Sequence, residues 1–153
     1  MRVLRGVLIC LALLAVVSAG ASMAQDRDVA LPGLDGGQLS EADLSRQATI
    51  VVIWASWSPR SRDIVQRVNQ IQADWGKSAR VVTIDFQEDR STIKDFLAGK
   101  NLTVPVYLDS KGVFSKKHAV TTLPGILIYS DGQLAHRGRL PRDANALIGR
   151  ILG

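Results

Sequence analysis

Residues Thr49 to Ala55 read Thr-Ile-Val-Val-Ile-Trp-Ala, a run of β-branched and aromatic side chains with no polar position after the threonine. A strand that is wet on one face alternates polar and apolar residues. A run without alternation needs cover on both faces, which is the condition of a central strand in a parallel sheet. The chain must therefore bring helices to both sides of this strand, and the next segment supplies one. Ser58 stands as N-cap, with Pro59 at the first helical position, where a missing N–H costs nothing. Ile64, Val68, Ile71 and Trp75 then recur at spacings of four, three and four, with Val65 beside them. Arg60, Arg62, Asp63, Gln66 and Arg67 fall on the opposite, watered side, and Gly76 supplies the stop.

The rest of the chain builds outward from this pair. Residues 25–48 form an irregular lead-in with turns at Leu31-Pro32-Gly33 and Gly36-Gly37, a short strand near Val29–Leu31, and Ser40 with Asp43 to cap a helical turn. Arg80 to Phe86 is a second strand of buried type. Thr92 to Ala98 is a short helix with Ile93, Phe96 and Leu97 inward, ended by Gly99. Thr103 to Leu108 reads as a strand in which Pro105 favours an edge or an early position. Val113 to Ala119 makes one or two helical turns, and Gly125–Tyr129 and Gln133–Arg137 form a hairpin about Asp131-Gly132. Pro141 opens a last helix with Ala144, Leu147, Ile148 and Ile151 on one side. Long crossovers imply parallel early strands, and the hairpin adds an antiparallel pair. The expected class is α/β: a central mixed β-sheet with helices on both faces, in one domain over residues 25–153.

Residues 1–24 stand apart. Arg2 and Arg5 precede an apolar run from Val7 to Val17, and Ser22-Met23-Ala24 suits signal-peptidase cleavage. The run is shorter than the ~20 apolar residues of a stable span, so cleaved export is expected, with a retained anchor as the alternative. Removing these residues leaves 129, with seventeen basic against fourteen acidic, or +3. That balance is too mild to argue for nucleic acid. The same cut removes Cys10, the sole cysteine. It lies within the apolar run, away from the small residues, and does not read as a lipidation site. The exported chain would carry no thiol in a compartment where disulfides form readily.

The segment Trp54-Ala55-Ser56-Trp57-Ser58-Pro59-Arg60-Ser61-Arg62 resembles the thioredoxin superfamily, specifically its exported TlpA/ResA-like branch, where the motif is W-A-x-W-C-x-x-C-R. Leu31 to Gly36 looks like that family's lead-in, and Thr103 to Asp109 like its middle strand. Leu123-Pro124 falls where the family places a cis-proline, and Ile126 to Gly132 matches the strand and hairpin that follow. The resemblance covers residues 29–152 and implies a thioredoxin-like fold. It also implies an activity, thiol–disulfide exchange, which the residues themselves deny. Ser58 and Ser61 occupy both cysteine positions. Exchange needs a thiolate to attack, a thiol to leave and sulfur to accept the bond. A helix N-terminus favours an anion, but at ~1.4 kcal/mol per pKa unit it leaves a hydroxyl protonated. Peroxidase chemistry falls to the same argument.

A hydrolytic Ser58/Ser61 site would need a base. The two histidines are His118 and His136, and no acid follows His118 at a recognisable spacing, so ordinary surface or locally bonded histidines are expected. The family's proton-handling accessories are also replaced: Val52 where thioredoxins carry a buried acid, Ile64 and Gln66 where the branch has glutamate and proline, and Gly125 after Pro124 where threonine is common. What the resemblance leaves is a shallow groove of Trp57, Ser58, Pro59, Arg60, Ser61, Thr122, Leu123 and Pro124, where a partner's extended backbone can pair as a strand. Trp54 is expected in the core, and Trp57 in the core or the groove. Arg60 and Arg62 on the rim favour acidic partners or form a plain solvated face. Lys116-Lys117, Arg137, Arg139 and Arg142 read as surface charge, and Asn101-Leu102-Thr103 as a weak glycosylation sequon. No cofactor, phosphate loop or metal cluster is indicated.

The leading expectation is a redox-inactive, exported, periplasmic thioredoxin-like module that binds an extended peptide or an envelope-protein segment. It would touch the membrane only if the N-terminal segment is retained. One alternative is a thiol–disulfide oxidoreductase whose cysteines were changed to serine, which the unmodified gene at codons 58 and 61 decides. Another is a structural subunit of an envelope assembly.

Overall fold

The computed structural model describes residues 28–153, so the expected leader over residues 1–24 lies outside the described residues. Strands β1 (Leu31–Pro32) and β2 (Gln38–Leu39) form a small antiparallel ribbon, and α1 (Glu41–Leu44) follows. The Ser40/Asp43 pair closes α1 as a full capping box, each side chain taking the other residue's backbone amide. The main sheet contains β3 (Thr49–Trp54), β4 (Arg80–Phe86), β5 (Val106–Asp109), β6 (Gly125–Ser130) and β7 (Gln133–Arg139), in the order β5-β4-β3-β6-β7. β3 is central, parallel to β4 and antiparallel to β6. All six of its residues are buried, as its unbroken apolar run requires.

Alternate residues of each strand feed two cores. On one face Ile50, Val52 and Trp54 meet Val68 and Ile71 of α2 (Ile64–Trp75), Ile93 of α3 (Arg90–Leu97) and Ile148 of α5 (Ala144–Leu152). On the other, Val51 and Ile53 meet Leu31, Leu39, Leu44 of α1 and Phe114 of α4 (Val113–Lys117). The fold is a central mixed sheet with helices on both faces.

Three of the boundaries that differ from expectation have a clear physical cause. The long helix does not run from Pro59: a 3-10 turn spans Pro59–Ser61, and α2 begins at Ile64. Ser58 makes no capping bond, because its hydroxyl points across to the Leu123 carbonyl instead. The strand expected from Thr103 starts at Val106 and lies at the sheet edge; Pro105, without an N–H, contributes its carbonyl to the amide and hydroxyl of Thr83. The last helix starts three residues beyond Pro141, where Asp143 caps the amide of Ala146 at 3.0 Å.

Candidate functional site

β3 delivers the chain to Trp54, which is fully buried, and the turn that follows throws Trp57 outward, 60% exposed. The turn is fixed by backbone bonds from Ser58 to Ala55 (3.1 Å) and from Ser61 to Ser58 (2.9 Å). Trp57 leans toward Phe86 at the end of β4, with ring centroids 6.4 Å apart. Opposite lies the segment Thr121–Leu123, leading into a cis Leu123–Pro124 bond. Between them is a cleft of ≈ 510 Å³ lined by Trp57, Ser58, Pro59, Arg60, Thr122 and Leu123 among the expected groove residues. Phe86, Ser115, Val120 and Thr121 complete it. The structure places the other two expected residues elsewhere: Ser61 is wholly buried beneath the turn, and Pro124 lines an adjoining cleft that shares Pro59 and Arg60 with the first.

The two serines are not equivalent. Ser58 keeps a sliver of exposure, and its hydroxyl donates a long 3.4 Å bond to Leu123 O. Ser61 Oγ is buried with no partner among the described residues, a hydroxyl where a less demanding, weakly polar atom would sit at less cost. Neither serine bonds a histidine. His118 does have an acid, which sequence spacing hid because it lies 77 residues away. Its Nε2 is 2.7 Å from Glu41 Oε1, and Lys117 Nζ donates to Glu41 Oε2 at 2.6 Å. Burial works against the Glu41 carboxylate, but the bonds from Lys117 and His118 outweigh it and hold its pKa below the usual range. This cluster ties α1 to α4. It is a structural clasp and not a relay to Ser58.

Sequence reasoning also missed two buried acids. Val52 is apolar, as read, yet Asp85 on the neighbouring strand β4 lies in register with Trp54 and is fully buried. Among the described residues neither of its carboxyl oxygens has a hydrogen-bond partner. Burial first, and then the neighbouring Glu88, push its pKa up to about 9, so it is held neutral at pH 7. Glu88 itself takes the amide of Ser56 at 2.6 Å and a short bond from the Ser56 hydroxyl, fixing the turn from below. An acid inside an otherwise apolar strand was the available signal, since Asp85 interrupts Val81-Val82-Thr83-Ile84 and Phe86. Among the described residues no group of three or more histidines, cysteines or acids stands where it could hold a metal ion.

A five-stranded mixed sheet flanked by helices, with a cis-proline loop facing the first turn after the central strand, defines a thioredoxin-like protein. The chain belongs to the AhpC/TSA family, whose model matches residues 23–137. It is 27% identical over 139 residues to sporulation thiol-disulfide oxidoreductase A of Bacillus subtilis, covering 84% of each chain. Among solved structures it is similar to a putative thiol:disulfide interchange protein DsbE from Chlorobium tepidum, with 28% identity, a TM-score of 0.71, and coverage of 82% of this chain and 94% of that one. A secreted Mycobacterium tuberculosis disulfide oxidoreductase shares the fold at 21% identity and TM-score 0.67, over 81% and 94% of the two chains. No helix among the described residues is long and apolar enough to cross a membrane. Against relatives named for thiol chemistry, this chain has one cysteine, Cys10, and none within residues 28–153.

Proposed function

We propose that this chain is a redox-inactive, exported thioredoxin-like protein that holds an extended segment of a partner polypeptide in the cleft between Trp57 and the Thr121–Pro124 loop. Residues 1–24 act as its export signal, and the periplasm is its compartment. The observation that carries the reading is the state of the loop opposite Trp57. The backbone amides of Thr121, Thr122 and Leu123 have no hydrogen-bond partner among the described residues. Main-chain donors seldom go unpaired unless water or a ligand takes them. A strand laid along this loop would satisfy them, and the indole of Trp57 would supply apolar contact without a covalent step. With hydroxyls at 58 and 61, capture is noncovalent and reversible.

The test is titration of the protein, made without residues 1–24, with an unfolded, cysteine-free polypeptide. Amide resonances of Thr122 and Leu123 should shift, and the part of the emission that W57F removes should change. If both stay still at saturating partner, the cleft is not the binding surface. The native protein should also neither react with a thiol reagent nor reduce a disulfide substrate. Activity in either assay overturns the redox-inactive reading whatever the peptide result.

A further inference from the structure

We infer that the partner segment is acidic, and that its carboxylates seat in an arginine-lined cleft beside the cis-proline. The inference rests on the peptide-holding reading and names the chemistry of what is held. Arg60 and Arg62 come from the turn ahead of α2, Arg67 from the end of its first turn, Arg139 from the end of β7 and Arg142 from the connection to α5. They are distant in sequence, yet they line one cleft of ≈ 610 Å³, with Asp63 as its single acid.

The five are not equal. Arg67 is part of the fold: its guanidinium donates to Leu140 O at 3.2 Å and Pro141 O at 2.7 Å, and it lies 3.9 Å from Asp63. Arg60, Arg62, Arg139 and Arg142 are exposed, and among the described residues none has a side-chain hydrogen bond or ion pair. These four cationic side chains share the cleft with one carboxylate, Asp63, and an anionic ligand relieves the repulsion left over. The amino end of α2 adds the positive end of a helix dipole beside the same cleft; Asp63, its N-cap residue, makes no side-chain capping bond there.

Position decides what kind of anion fits. This cleft joins the Trp57 cleft through Pro59 and Arg60, and Pro124 lines it directly after the unpaired Thr121–Leu123 amides. A polypeptide pairing along that loop is therefore led into the arginines. Guanidinium groups at such a mouth favour carboxylates, which they bind as planar two-point partners. An acidic peptide satisfies the backbone donors, the indole and the arginines together; a bare anion satisfies only the last.

The experiment compares two cysteine-free peptides of one apolar core sequence, flanked by Asp/Glu in one and by Asn/Gln in the other, by calorimetry and amide shifts of Thr122 and Leu123. The acidic peptide should bind about tenfold more tightly or better at low salt, and the gap should close as salt screens exposed charge. The triple variant R62Q/R139Q/R142Q should lose the gap while still binding the neutral peptide. Equal affinities for the two peptides, or an unchanged gap in the variant, overturn the inference and leave the peptide-holding reading intact. If neither peptide shifts Thr122 and Leu123, both readings are overturned. Vesicles of phosphatidylglycerol provide the last arm. If the arginines bind these vesicles and show no preference between the peptides, the surface serves a membrane and the inference is wrong.

Discussion

Replacing Asp85 by asparagine keeps the shape of the side chain and removes its titration. The folded-state pKa of Asp85 is raised from an ordinary 3.8 to about 9. For an acid shifted upward the native state holds the proton more tightly than the unfolded chain does. Its contribution is therefore complete below about pH 3.8 and is lost progressively as pH rises through about 9. The whole shift corresponds to roughly 7 kcal/mol at ~1.36 kcal/mol per unit, comparable to the total stability of a small domain, about 5–15 kcal/mol. The informative window is pH 7 to 9. There the wild type should lose about 2–3 kcal/mol through this one group, while D85N should not. Urea unfolding followed by circular dichroism at both pH values, on chains lacking residues 1–24, measures the difference directly. Other groups titrate in the same range, but they titrate in both proteins and cancel. If the two stability curves run parallel from pH 7 to 9, Asp85 is not held neutral and the account of a dry carboxyl beneath the Trp54–Trp57 turn fails.

Three further outcomes follow from the same geometry. W57A removes a side chain that is mostly in solvent, so unfolding stability should move by less than about 0.5 kcal/mol, while peptide affinity should fall about tenfold or more; a loss confined to stability refutes the cleft reading. S58C/S61C should close a disulfide on air oxidation, seen as a mass loss and a reductant-sensitive melting temperature. A pair that stays reduced would mean that the turn over Pro59–Ser61 no longer brings positions 58 and 61 within bonding reach. E41Q should weaken the α1–α4 clasp by about 1 kcal/mol near neutral pH. Because the Glu41 pKa is lowered, its stabilisation is present above the unfolded value of 4.5 and is lost as pH falls through the folded one; wild type and E41Q should therefore converge in acid, and curves that stay apart would refute the clasp.

The sheet was legible because its information is local. An uninterrupted apolar run at Thr49–Ala55, an Asp-Gly between two short strands and a Ser40/Asp43 box each constrain the backbone within a few residues. Helix starts were less legible. Ser58-Pro59 is a sound N-terminal signal, but the competing attraction, the Leu123 carbonyl, lies 65 residues away in sequence. The site divided along the same line. Trp57, the two serines and Pro124 sit in one motif or beside a recognisable proline, whereas Glu41 with His118, Asp85 beside Trp54, and Arg139 with Arg62 meet only once the sheet is assembled. Arg139 and Arg142 read as plain surface charge because nothing near them in sequence announces a cleft.

The two borders of the sheet differ in a way that bears on self-association. Strand β5 is sealed: Gly33 bridges to Tyr107, and the Leu34 amide donates to Val106 O at 2.8 Å. Among the described residues strand β7 has no such cover, and its residues are exposed or half-exposed along their length. An open border invites stacking by another chain, and cationic side chains are a common deterrent. Arg137 and Arg139 supply that charge, so a protein crowded at high concentration can keep its neighbours at a distance without surrendering a free rim.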